Sequence, residues 1–146
     1  MREIKFRAWD DNAQEMVYEV GLTPEGIPYS IPDHAEASDQ FDYYPSCHKM
    51  QFTGLRDKND VEIYEGDILK RTVTIVIYGT GKPPEDIDEY LEVQYREDYA
   101  GFFIGERSLF AYVDTTIDVD TRCSCTKAEV VGNIYQNPNL LKEEAR

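Results

Sequence analysis

Basic residues are scarce in this chain of 146 residues: 15 lysines and arginines stand against 29 aspartates and glutamates, for a formal net charge of −14. With a pI of about 4.4, most of its faces repel a phosphate backbone at physiological salt, so direct nucleic-acid binding is disfavoured. Long apolar runs are absent, and the N-terminus reads MREIKFR where a secretory leader would carry its apolar segment. No membrane association is expected, and the chain is placed in the cytosol. Cysteine is sparse too. Three is an odd number with no framework spacing, in keeping with a reducing compartment.

The usual short chemical motifs are also missing. Gly79-Thr80-Gly81-Lys82 lacks the spacing of a phosphate loop and is followed by Pro83-Pro84 instead of a helix whose N–H groups could hold phosphate, so it reads as a hairpin loop. Cys123-Ser124-Cys125 and Cys47-His48 could supply four zinc ligands if the two segments met. A one-residue spacer, however, strains the chelate around a tetrahedral ion, and free thiols are the stronger reading. Cys47 and His48 are sequence neighbours with no orienting third group, which argues against a catalytic thiol. No cofactor is expected.

What the chain does contain is strand-forming material. Eleven tyrosines and six phenylalanines favour sheet, and the length suits one domain over residues 1–146. Ile4, Phe6 and Ala8 alternate with Lys5, Arg7 and Trp9, the period of a half-buried strand, and Met16–Val20 returns after a turn at Asp10-Asp11-Asn12. Residues 21–46 carry Pro24, Pro28, Pro32 and Pro45, which predicts an irregular segment. Its aromatics Tyr29, Phe41, Tyr43 and Tyr44 argue that it packs back on the body.

Between Met50 and Leu69 the sequence MQFTGLRDKNDVEIYEGDIL compresses strand, turn, strand and tight corner into twenty residues. Leu69, Val73, Ile75 and Ile77 then line one face of the longest strand. The acidic Glu85–Glu89 stretch reads as a loop or a single helical turn, and Leu91, Val93 and Tyr95 resume the alternation. Two short strands follow at Phe102–Ile104 and Leu109–Val113, and a last one at Glu129–Tyr135. Asn137-Pro138 opens a terminal helix through Glu144, with Asn as cap and Pro at the first helical position. The predicted fold is mainly β, a small barrel or packed antiparallel sheets with a short C-terminal helix.

The central segment, the opening REIKFRAWD (Arg2–Asp10) and the near-terminal EVVGNIYQNPNLL (Glu129–Leu141) together resemble the YopX family of phage and prophage proteins. The resemblance covers both ends and the centre, and least the 21–46 and 70–128 regions. It implies a fold and a bacterial host cell, but no activity. Family members usually place Gly where Asp60 stands, since that turn position favours positive φ.

Acidic clusters occur at Asp10-Asp11, at Glu85-Asp86-Asp88-Glu89 and at Asp114, Asp118 and Asp120. The last group is the best candidate for a divalent cation, although a solvated acidic loop explains it more simply. Asp67 can hydrogen-bond the amides of its own turn, which accounts for Gly66-Asp67 without a ligand. Trp9, Tyr64, Tyr78 and Tyr95 fall off the core face of their strands, where they either cover a second layer or form an interaction surface. The leading functional expectation is therefore a non-enzymatic protein-binding module, self-associating as a homo-oligomer and steered by its acidic surface. The alternatives are an acidic DNA mimic that blocks a DNA-binding protein and, last, a metal-dependent hydrolase.

Overall fold

A computed structural model describes residues 2–118 and 121–144. With 47% strand and 8% helix the chain is mainly β, built on two antiparallel sheets with a short C-terminal helix. It divides into two compact units, the first ending at Gly54 and the second beginning at Leu55.

In the first unit, β1 (Phe6–Asp10), β2 (Glu15–Leu22), β3 (Pro28–Ser30), β4 (Asp42–Tyr43) and β5 (His48–Arg56) form a sheet in the order β4-β3-β2-β1-β5, with the end of β5 entering the second unit. Asp10 closes the β1–β2 turn by accepting from the N–H groups of Asn12 and Ala13 at 2.9 and 3.2 Å. The alternation expected in β1 is broken because Arg7, Ala8 and Trp9 are all buried. A register shift between Phe6 and Ala8 opposite β2 marks the irregularity. The proline-rich segment is more regular than its composition suggests. Pro28 opens β3, where a missing N–H is tolerated, and Tyr29 stacks on Phe41 with centroids 5.6 Å apart.

The second unit contains β6 (Glu62–Tyr64), β7 (Asp67–Ile75), β8 (Glu85–Arg96), β9 (Gly101–Ile104), β10 (Arg107–Ser108), α1 (Leu109–Val113), β11 (Ser124–Cys125), β12 (Glu129–Asn133) and α2 (Asn139–Glu144). Its curled sheet runs β10-β9-β8-β7-β11, and β12 also pairs with β7. Ile63, Leu69, Val93, Ile104, Leu109, Tyr112, Val113 and Ala128 form the core of this unit.

Two expectations are corrected here. Leu109–Val113 is a helix, not a strand: Ser108 caps it, its Oγ accepting from the Ala111 N–H, and Leu109, Tyr112 and Val113 share the buried face at helical spacing. Glu85–Glu89 is not a loop but the first part of β8. Its threonine partners on β7 make an acidic strand tolerable, as Thr72 Oγ1 donates to Asp88 at 2.8 Å and Thr74 Oγ1 to Asp86 at 2.7 Å.

The central segment is held by two aspartates. Asp67, buried, accepts from the Tyr64 N–H at 2.8 Å across the corner at Gly66, whose φ is 84°. Asp57 accepts from the N–H groups of Asn59 and Val61 with one oxygen and of Val130 with the other, tying the turn to β12. Asp60 takes φ 65° in that turn, the left-handed conformation that a glycine would adopt more easily.

Candidate functional site

The long β7–β8 hairpin builds the site. Its register places Leu69 opposite Leu91, Arg71 opposite Glu89, Val73 opposite Ile87 and Ile75 opposite Glu85. Because side chains alternate, these four pairs share the inner face, while Thr72/Asp88 and Thr74/Asp86 share the outer one. The inner face is thus apolar at its base, charged at Arg71/Glu89, apolar again at Val73/Ile87, and ends at Ile75 opposite the exposed Glu85.

Arg71 is 1% exposed, and three acceptors and one ring surround its guanidinium. Nε donates to Glu89 Oε1 at 2.9 Å, Nη1 to Cys125 Sγ at 3.6 Å, and Nη2 lies 3.5 Å from Asp118 Oδ2. The plane sits over the Tyr112 ring, 4.2 Å from its centroid. Among the described residues Nη2 has no hydrogen bond, so that corner of the guanidinium is held by charge alone. Tyr112 Oη in turn donates to Glu89 Oε1 at 2.8 Å. Arg107 adds a second cation 3.2 Å from Asp118 Oδ1, and Thr121 Oγ1 donates to Asp118 at 3.1 Å. Two cations and two carboxylates balance, which is what lets them sit in a low-dielectric position.

Above this ionic floor opens a cavity of about 390 Å³. Val73, Ile75 and Ile87 form its apolar wall, and Thr121 and Cys123 close the far side. The Asp118 N–H donates to Cys123 O there and the Arg122 N–H to Asp118 O, both at 2.8 Å. Burial pushes the Cys125 thiol up, with the nearby Arg71 opposing the shift. Past Ile75 the hairpin tip leaves Val76, Ile77 and Tyr78 in solvent, Tyr78 at 89% exposure. The arrangement can receive an apolar group against the wall and a polar end against Arg107, Glu89 or Asp118.

The residues singled out from sequence fall in different places. Asp118 lies in the ionic floor. Asp114 is exposed and pairs with Lys127 at 2.9 Å, and Asp120 lies outside the described residues. Asp118 spends its oxygens on two arginines and a threonine, so a cation would have to displace them. Among the described residues no group of three or more His, Cys, Asp or Glu side chains is arranged to hold a metal. Trp9 and Tyr64, expected off the core, are each 3% exposed, so neither presents a surface. Trp9 Nε1 donates to Asp11, and the same carboxylate lies 2.8 Å from His48 Nε2, which holds Asp11 below the usual carboxylate range. Tyr78 and Tyr95 do reach solvent, Tyr95 packed edge-on against Phe102.

Arg71 was missed by sequence reasoning and Glu89 was noted only within an acidic cluster, although parity places Arg71 on the face of Leu69 and Val73, and Glu89 on that of Leu91 and Val93. The signal was a charge at an inward position on each of two adjacent strands.

A mainly β fold does not by itself define a function. The chain belongs to the YopX protein family, whose pattern matches residues 5–142. It is similar to the crystal structure of protein EF1440 from Enterococcus faecalis, at 28% identity over 97% of this chain and 99% of that one, with a TM-score of 0.58. No curated protein matches it. No described helix is long and apolar enough to cross a membrane.

Proposed function

We propose that this chain is a non-enzymatic protein-binding module whose contact element is the β7–β8 hairpin. The observation that carries the reading is the tip itself. Val76, Ile77 and Tyr78 stand exposed in succession, and Ile87 is exposed on the returning strand, so one projecting hairpin presents four apolar side chains to solvent. Tyrosine and isoleucine on such a projection are suited to insertion into a partner's pocket, and the net charge of −14 steers basic partners toward it. Self-association belongs to the same reading, with the tip seated on a second copy in the bacterial cytosol. The DNA-mimic alternative gains less support, because Asp86 and Asp88 are tied to threonines and Glu89 and Asp118 to arginines instead of standing in phosphate-like rows.

The test is affinity capture from phage-carrying bacteria with the native chain and with an Ile77→Ser/Tyr78→Ser variant, alongside light scattering of both. One defined protein held by the native chain and lost by the variant, or a native oligomer that the variant dissociates, is the expected result. Identical capture by both, or monomers that retain nothing, refutes the reading.

A further inference from the structure

We infer that the outer edge of β8 over Glu85–Glu89 is a strand-addition site for an extended segment in which basic and apolar residues alternate; this rests on the protein-binding reading and names the partner's chemistry. β8 is twelve residues long, but β9 pairs only with its far end, Val93–Arg96. On its other side β7 pairs with the strand from Glu85 to Glu92. Among the described residues no strand pairs with the second edge of Glu85–Glu89, so alternate N–H and C=O groups there point outward in extended geometry.

The side chains specify what pairs with that edge. Asp86 and Asp88 lie on the outer face and are exposed, while on the inner face Ile87 lines the cavity between Glu85, exposed toward the tip, and Glu89, already bonded to Arg71 and Tyr112. An added strand therefore sets two of its residues beside Asp86 and Asp88 and the residue between them beside Ile87, over the cavity mouth. Lysine or arginine suits the outer positions and an aliphatic residue the inner one. A second copy of β8 is disfavoured as the occupant, because it would bring further carboxylates beside Asp86 and Asp88, where Lys70, 3.8 Å from Asp88, is already engaged. Toward Val93 the same edge is taken by β9, so an added strand of about five residues, at the 3.3 Å rise of a strand, fits over Glu85–Glu89 before it.

The probe is a capped octapeptide of alternating lysine and valine, compared with the same composition in two blocks, with alternating glutamate and valine, and with the lysine peptide N-methylated at every second residue in either register. Binding is followed by fluorescence anisotropy and by amide exchange of the full chain. The expected result is selective binding of the alternating lysine peptide, weakened by salt, with slowed exchange confined to Glu85–Glu89. One N-methyl register should lose about tenfold or more, because two or three backbone bonds vanish. An Asp86→Lys/Asp88→Lys variant should switch preference to the glutamate peptide. Equal binding of both N-methylated registers, equal binding of the block peptide, or no binding at about 1 mM, the weak end of specific association, overturns strand addition. The N-methyl comparison leaves the protein unchanged, so it does not depend on how a variant folds. Tip-dependent capture persisting through such a failure would keep the binding-module reading, whereas peptide binding without tip-dependent capture would leave strand addition standing alone.

Discussion

Replacing Arg71 with methionine removes the charge at the centre of the ionic floor while keeping most of the side chain's length. Glu89 would keep Tyr112 Oη at 2.8 Å and Arg107 at 3.9 Å, and Asp118 would keep Arg107 and Thr121. The pair is not left bare, but two ionic contacts and the hydrogen bond to Cys125 of a side chain that is 1% exposed disappear, and two carboxylates then face one cation. Breaking a buried ion pair from one side costs about 3–5 kcal/mol, and the surviving partners argue for the low end, about 3 kcal/mol. For a chain of this size that lowers Tm by roughly 10 °C. The assay is urea and thermal denaturation of the native chain, Arg71→Met, Glu89→Leu and the double variant. The double variant should be less destabilised than the sum of the single ones by about 1–3 kcal/mol, since removing both charges leaves less uncompensated charge. A loss below about 0.5 kcal/mol for Arg71→Met, the size of an ordinary surface change, or strict additivity of the pair, would refute the account of Arg71 as the hub of this network.

Asp57→Ala should destabilise by about 2–4 kcal/mol, because three backbone N–H groups lose a shared carboxylate; denaturant titration at unchanged m reads it, and a loss near zero contradicts the assigned bonds. Gly132→Ala should cost about 1–3 kcal/mol, since a Cβ there would lie 2.4–2.8 Å from the Asn137 side chain; a Tm equal to that of the native chain would mean that this contact yields freely. Cys125 should alkylate more slowly than a free thiol at pH 8 and speed up as pH rises, because burial raises its pKa, and peptide mapping after timed iodoacetamide treatment measures this. The sign for stability follows: the contribution of that thiol is present below the ordinary thiol pKa and is lost as pH rises above it. Full labelling of native Cys125 at the rate of free cysteine would refute its placement.

The central segment was readable because its information is local. Gly66 at the corner and Asp67 folding back on the Tyr64 amide act within a few positions and have the expected role, whereas Tyr64, expected off the core face, is buried, and Asp57 also reaches Val130 far along the chain. The proline-rich segment misled because Pro28 is harmless at the first position of a three-residue strand, even one paired on both sides by β2 and β4. Leu109–Val113 misled because five apolar residues in a row fit either period until Ser108 and the core choose between them.

Sequence alone determined the β class, the acidic surface and the family pattern, since composition and short-range patterning carry all three. Only the tertiary structure decided the site. Arg71, Glu89, Arg107, Tyr112 and Asp118 come from four separate stretches of chain, and the energy of a buried charge depends on partners that no spacing in the sequence reveals. Acidic Glu85–Glu89 looked like solvated loop until β7 supplied threonines on one face and Arg71 on the other. A strand edge exists only once pairing has stopped, so where this protein is open to a partner is a property of the assembled sheet.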